Sequence, residues 1–205
     1  MAEEESEHGV DPAKPLLLAS DGFGPLLERN YWGVIRASRL KPSQVMKLVS
    51  RKFAEFAPAE LCRFARTDEQ EGVSLTVGDE LDIDIMGAGF AQVRVIQQDM
   101  QSFTVATLEG HPEAGRVTFG SYRNVKSDVI FHIRSRARSS TQMTYLGFLA
   151  AGEPMQTNTW TDFVSAVATT VGAGVVGEIQ AETQVLEEDP HDDPRHDPTF
   201  VAQGD

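Results

Sequence analysis

The run Gly110-His111-Pro112-Glu113-Ala114-Gly115 sets an imidazole and a carboxylate two residues apart, in a connection braced by proline and bounded by glycines. Histidine titrates near neutrality and a glutamate can trade a proton with a bound molecule. The pair could therefore act as acid and base, or as polar recognition groups at a cavity mouth. The same side chains could instead satisfy backbone groups of a turn, with Pro112 setting the bend. Spacing alone leaves both roles open.

A second constellation is His132, Arg134, Arg136 and Arg138, which alternate with Ile133, Ser135 and Ala137 and so share one face of a strand. Turned inward, the row could hold an anionic head group, because guanidinium forks match carboxylate and phosphate. Arg136 is its candidate ligand-binding member. Turned outward, the row is a solvated face cross-paired with Asp82 and Asp84. Its apolar partners Val129, Phe131 and Ile133 read as the core side, which favours the outward reading without settling it.

Other chemistry is thin. His191, Asp192, Asp193, His196 and Asp197 could ligate a metal, but they lie in a run with no framework to preorganise them, so no metal site is expected. Cys62, the single cysteine, sits beside Phe64 in an apolar pattern and reads as a small buried hydrophobe. No nucleophile elbow, phosphate-binding loop or dinucleotide fingerprint is present, and no cofactor is expected.

The elements that must position these residues follow from periodicity. Tyr31 to Ser38 reads as a first strand. Pro42 suits a helix start, and Val45, Val49, Phe53 and Phe56 make an apolar stripe that Pro58 ends. Ala59 to Arg66 reads as a second short helix. From Leu81 to Leu149, alternation interrupted by turn residues predicts an antiparallel meander whose last strand spans Thr141 to Leu149. A closing helix is expected to begin at Thr159-x-x-Asp162, a capping-box pattern, and to run past Gly172, Gly174 and Gly177 toward Gln184. The fold class is α+β: a curved antiparallel meander wrapped on a long C-terminal helix, with two short helices after the first strand. Phe119, Phe131, Trp160 and Phe163 would line or fill the space between sheet and helix.

Three segments, TLEGHPEAGRVTF (Thr107–Phe119), VIFHIRSRAR (Val129–Arg138) and MQTNTWTDF (Met155–Phe163), carry a likeness to a known family. Over about residues 28–180 the chain resembles the uncharacterised family called domain of unknown function nineteen-ninety. That family has a Gly-His-Pro-Glu loop, a Ser-Arg segment and a glutamine near the start of a terminal helix. Here Ala137 follows Ser135-Arg136 where the family often has proline. The resemblance implies a helix-grip fold similar to START and Bet v 1-like proteins, and it adds Gln156 to the candidate ligand-binding residues. It transfers no catalytic residue.

Charge and length bound the rest. The net charge of −13 is concentrated at the ends: residues 1–13 contribute −5 and residues 187–205 contribute −6, leaving −2 for the body. Such a body is a poor partner for nucleic acid, whose binding rests on neutralising phosphates. The 205 residues divide into an acidic segment over 1–25, one domain over 26–185 and an acidic tail over 186–205, both ends having disordered composition. The charge-free stretch Phe163–Gly177 falls short of the ~20 apolar residues of a bilayer span. Glu3, Glu4 and Glu5 oppose a signal peptide, and one cysteine suits a reducing compartment, so a cytoplasmic protein is expected. Three functions remain: a noncatalytic binder of a small apolar or amphipathic molecule, a cyclase- or hydrolase-like enzyme using His111 and Glu113 with Arg136 holding an oxyanion, or a protein-interaction module whose acidic ends dock basic partners. The sequence sets no oligomeric state.

Overall fold

The structure is a computed structural model that describes residues 14–67, 72–147 and 153–187. Strand β1 (Phe23–Val34) is followed by helices α1 (Pro42–Arg51) and α2 (Phe53–Phe56). Strands β2 (Cys62–Arg66), β3 (Glu80–Ile85), β4 (Gly89–Gln98), β5 (Ser102–Thr107), β6 (Glu113–Arg123) and β7 (Val129–Ser139) then run in sequence. Helices α3 (Gln142–Gly147) and α4 (Glu153–Val171) and strand β8 (Gln180–Leu186) complete the order. All eight strands form one sheet in the order β2-β3-β4-β5-β6-β7-β1-β8, and each pairing is antiparallel.

Period-two alternation assigns the two faces. On β7, Val129, Phe131, Ile133, Ser135 and Ala137 are buried while His132, Arg134, Arg136 and Arg138 are half-buried on the other side. The inner row packs on α4 through Phe163, which is fully buried and stacks on Phe131 at a ring distance of 6.0 Å. Phe53 of α2 enters the same cluster, 5.0 Å from both Phe64 and Phe119 and 5.2 Å from Phe163. Aromatic pairs at these spacings contribute about 0.5–1.5 kcal/mol beyond their buried area. The helix stripe of Val45, Val49, Phe53 and Phe56 is buried as its spacing predicts.

Several expected elements differ. Strand β1 begins at Phe23 rather than Tyr31, so the domain boundary drawn at residue 26 falls inside it. Pro25 sits where the β1–β7 register shifts, between Phe23 and Leu27, so its missing N–H costs no ladder bond. Residues 14–22 also pack on the sheet, with Leu17 N donating to Thr107 O and Gly115 N to Leu17 O. Residues 1–13 and 188–205 lie outside the described residues, as do His191, Asp192, Asp193, His196 and Asp197.

Ala59 to Arg66 is not a helix. A turn at 58–61 leads into β2, whose Cys62 and Phe64 lie opposite Ile85 and Ile83. A five-residue apolar/polar alternation fits either period, and the free edge of β3 decides it. Thr141 onward is helical rather than a last strand, because Thr141 caps it: its Oγ1 accepts from Thr144 N at 3.2 Å, while Thr144 Oγ1 accepts from Thr141 N at 2.9 Å. The meander therefore ends at Ser139.

The closing helix starts at Glu153, so Thr159 and Asp162 lie within it rather than at its cap. It stops at Val171 instead of continuing to Gln184. A Cβ on Gly172 would lie 2.5 Å from Arg36 O, so the helix end presses directly on the chain after β1. The backbone bonds lost by leaving the helix are recovered when Gln180–Leu186 pairs with β1.

Candidate functional site

Between the inner face of the sheet and the N-terminal half of α4 lies a cavity of about 480 Å³. One side is apolar, with Phe53, Phe64, Ile83, Val93, Val105 and Phe119 among its walls. The other carries His111, Glu113, Thr144, Gln156, Thr159 and Trp160. Met86, Gly87 and Ala88 of the β3–β4 hairpin reach the same cavity. Cys62 is part of this wall too, on a strand rather than a helix, and burial pushes its thiol up to about 11. It is therefore protonated and unreactive at neutral pH.

The polar end is built by the β5–β6 connection. His111 turns there, its N–H donating to Leu108 O, and only 8% of its surface is exposed. Its Nδ1 lies 2.9 Å from Glu113 O and 3.0 Å from Glu113 N, so one ring nitrogen is held by main chain in either tautomer. Burial drives its pKa down to about 4, against a smaller upward pull from that backbone contact. The imidazole is neutral at pH 7.

Glu113 opens β6 and faces inward, as do Gly115, Val117 and Phe119 along the same strand. Gly115 is required there: its φ is +149° and a Cβ would collide with Arg136 O. The Glu113 carboxylate accepts from Gln156 Nε2 at 2.9 Å through Oε2, and Oε1 lies 3.5 Å from Arg29 Nη1. Burial raises its pKa, opposed by the Arg29 charge and the Gln156 bond. Arg29 is 1% exposed and stands on the inner face of β1, opposite Ser135 of β7. A fully buried guanidinium is costly unless a carboxylate meets it.

The cavity wall thus contains His111, Glu113, Phe119, Gln156 and Trp160, five of the residues singled out from sequence. Phe131 and Phe163 are not in it; they stack on each other in the solid core beyond. Arg136 is a correction. It lies on the outer face, its Nε 2.5 Å from Glu28 Oε2, away from the cavity. Glu28 also accepts from Asn30 at 3.1 Å and Gln184 at 2.9 Å. Although burial works against its charge, Arg136 and these amides hold its pKa below the usual carboxylate range. Arg136 therefore pairs with Glu28 and His132 Nε2 lies 2.8 Å from Asn30 Oδ1, while Asp82 accepts from Gln92 and Thr67.

Arg29 is the site residue that sequence reasoning missed. With the first strand drawn from Tyr31, Arg29 fell outside it. The signal was its two-residue spacing from Tyr31, which puts both on one strand face.

A family model described as "Domain of unknown function (DUF1990)" matches residues 45–166, more than half of the chain. The chain belongs to that family. The DUF1990 match runs from within α1 through most of α4 and contains His111, Glu113, Gln156 and Trp160 of the cavity wall. No curated protein matches the sequence. Among solved structures, norcoclaurine synthase from Thalictrum flavum is similar at a TM-score of 0.51 and 12% identity, over 72% of this chain and 87% of that one. A hypothetical protein from Helicobacter pylori is similar at 0.51 and 8% identity, over 69% and 86%. The KanY protein is similar at 0.52 and 9% identity, over 73% and 99%. At these identities the likeness concerns the fold: this DUF1990 chain has the helix-grip α+β fold of Bet v 1-like proteins. Among the described residues no helix is long and apolar enough to cross a membrane.

Proposed function

We propose that this DUF1990 protein is a noncatalytic binding protein of the cytoplasm that holds a small apolar or amphipathic molecule between its sheet and α4. The observation that carries this reading is the cavity of about 480 Å³ with mainly apolar walls and one polar end. That volume falls within the ~300–1,000 Å³ usual for small-molecule sites, which combine apolar lining with a few placed polar groups. The similar norcoclaurine synthase structure is a complex with dopamine and hydroxybenzaldehyde, two small organic molecules. Native mass spectrometry of protein purified from its host tests the reading. A retained small molecule is expected, and a Val105→Phe variant, which fills the cavity, should lose it. Bare protein under conditions that keep the fold, together with no uptake of any apolar probe, overturns it.

A second reading, an enzyme using His111 and Glu113 as acid and base, is favoured by their facing one cavity. The oxyanion role given to Arg136 is withdrawn, since that residue lies on the other face of the sheet. Recovery of a chemically altered molecule after incubation with the extracted ligand would support it. Return of the ligand unchanged would leave binding alone.

A further inference from the structure

The polar end of the cavity has a chemical signature that narrows the ligand, and this narrowing rests on the binding reading above. Four groups there have unused hydrogen-bonding capacity among the described residues. His111 Nε2 makes no hydrogen bond, its Nδ1 being held by Glu113. Gln156 Oε1 and Trp160 Nε1 are buried without a partner, on a residue (Trp160) that is only 8% exposed. The Glu113 carboxylate accepts from Gln156 and faces Arg29, yet its side chain keeps 22% of its surface open.

These groups make complementary demands. An indole N–H can only donate and so needs an acceptor. A carboxylate and an amide oxygen can only accept and so need a donor. The imidazole needs one or the other according to its tautomer. Buried groups left unmatched cost about 1–3 kcal/mol each, so a ligand that meets both demands gains most. Charge narrows the choice further. Arg29 and Glu113 cancel. Arg116 borders the cavity but stands in register with Arg136, whose side chain is on the outer face of the sheet. Among the described residues His111 is the remaining ionisable group at this end, so nothing there offsets a charged head group. A carboxylate would face Glu113, and an ammonium would face Arg29.

We infer that the cavity is selective for uncharged, largely apolar molecules ending in a hydroxyl group, whose O–H donates to Glu113 or Gln156 while its oxygen accepts from Trp160 or His111. A single hydroxyl meets both demands, whichever tautomer His111 adopts. Ethers accept without donating, and hydrocarbons do neither.

The test is a matched panel titrated calorimetrically into the full chain: decanol, methyl decyl ether, decanoate and decylammonium. Decanol should bind at least about tenfold tighter than each of the others, the ratio that one hydrogen bond to a charged group supplies. In Glu113→Gln, whose amide can also donate, the gap between decanol and decanoate should shrink to about threefold or less. If that variant does not fold, the panel on the unaltered protein still decides. Equal or tighter binding of decanoate or decylammonium overturns the inference. Equal binding of all four overturns it while leaving the binding function standing. Binding of none removes both.

Discussion

Arg29 of β1 and Glu113 of β6 form an ion pair across the intervening strand β7, at 3.5 Å, with Arg29 almost wholly excluded from solvent. The pair does two things at once. It neutralises a guanidinium that the core could not otherwise hold, and it fixes a carboxylate at the polar end of the cavity. Gln156 joins it from α4, so sheet and helix are tied at the cavity itself.

Removing one partner should therefore cost more than removing both. Arg29→Met and Glu113→Leu are each expected to destabilise the protein by about 3–5 kcal/mol, because each leaves a buried charge uncompensated. The double variant should recover much of that loss. Urea unfolding of the three variants checks the cycle; single-variant losses that simply add would contradict the pairing.

Stability should fall on acidification between pH 6.5 and about 4. The folded pKa of His111 is about 4, below its ordinary 6.5. Between these values the unfolded chain binds the extra proton, so the contribution is complete above pH 6.5 and is lost as pH drops toward 4. The size is up to about 3 kcal/mol from the displacement of His111. His132, driven to about 3 by burial and by Arg134, acts in the same direction. His111→Asn should flatten part of this slope in denaturation curves taken across the range. An unchanged slope would show that His111 is not buried in its neutral form.

Phe163 is the hub between α4 and both short-helix and sheet aromatics, with rings of Phe53, Phe56, Phe119 and Phe131 within 6.0 Å. Phe163→Ala should cost about 3–5 kcal/mol, the usual loss for a fully buried aromatic. Thermal unfolding measures it. A loss below about 1 kcal/mol would mean that α4 is not seated on the sheet as described.

Arg136→Ala separates the outer face from the cavity. The residue is a quarter exposed and bonds Glu28 outside the cavity wall. The expected result is a loss of about 1–3 kcal/mol in stability, from leaving Glu28 short of its charged partner. Probe affinity should change by less than about twofold. A tenfold loss of decanol binding would place Arg136 in the site after all.

Gly115→Val should prevent stable folding at moderate temperature, since the residue needs positive φ and its Cβ position is occupied by the neighbouring strand's backbone. Circular dichroism would show it. Normal folding would mean that the β6–β7 approach is looser than described.

Much of the fold was legible because alternation is a strong local signal. Val129, Phe131 and Ile133 on β7, and Leu81 and Ile83 on β3, lie on the inner face as their spacing implies. Short segments were not legible. Thr141–Gly147 carries aromatic and threonine residues that suit a strand, and only the reciprocal Thr141–Thr144 cap makes it a helix. Cys62–Arg66 suits either state until β3 offers it an edge.

Sequence alone therefore determined which residues could share a face, and that a loop would present His111 and Glu113 together, since both follow from spacing along a single stretch of chain. Which faces meet was decided only in three dimensions. Glu28 and Arg136 are separated by 108 positions, and whether such residues touch depends on strand register, which local periodicity does not encode. The same register set Arg29 behind Glu113, turned the arginines of β7 away from the cavity and left the space beside Trp160 unfilled.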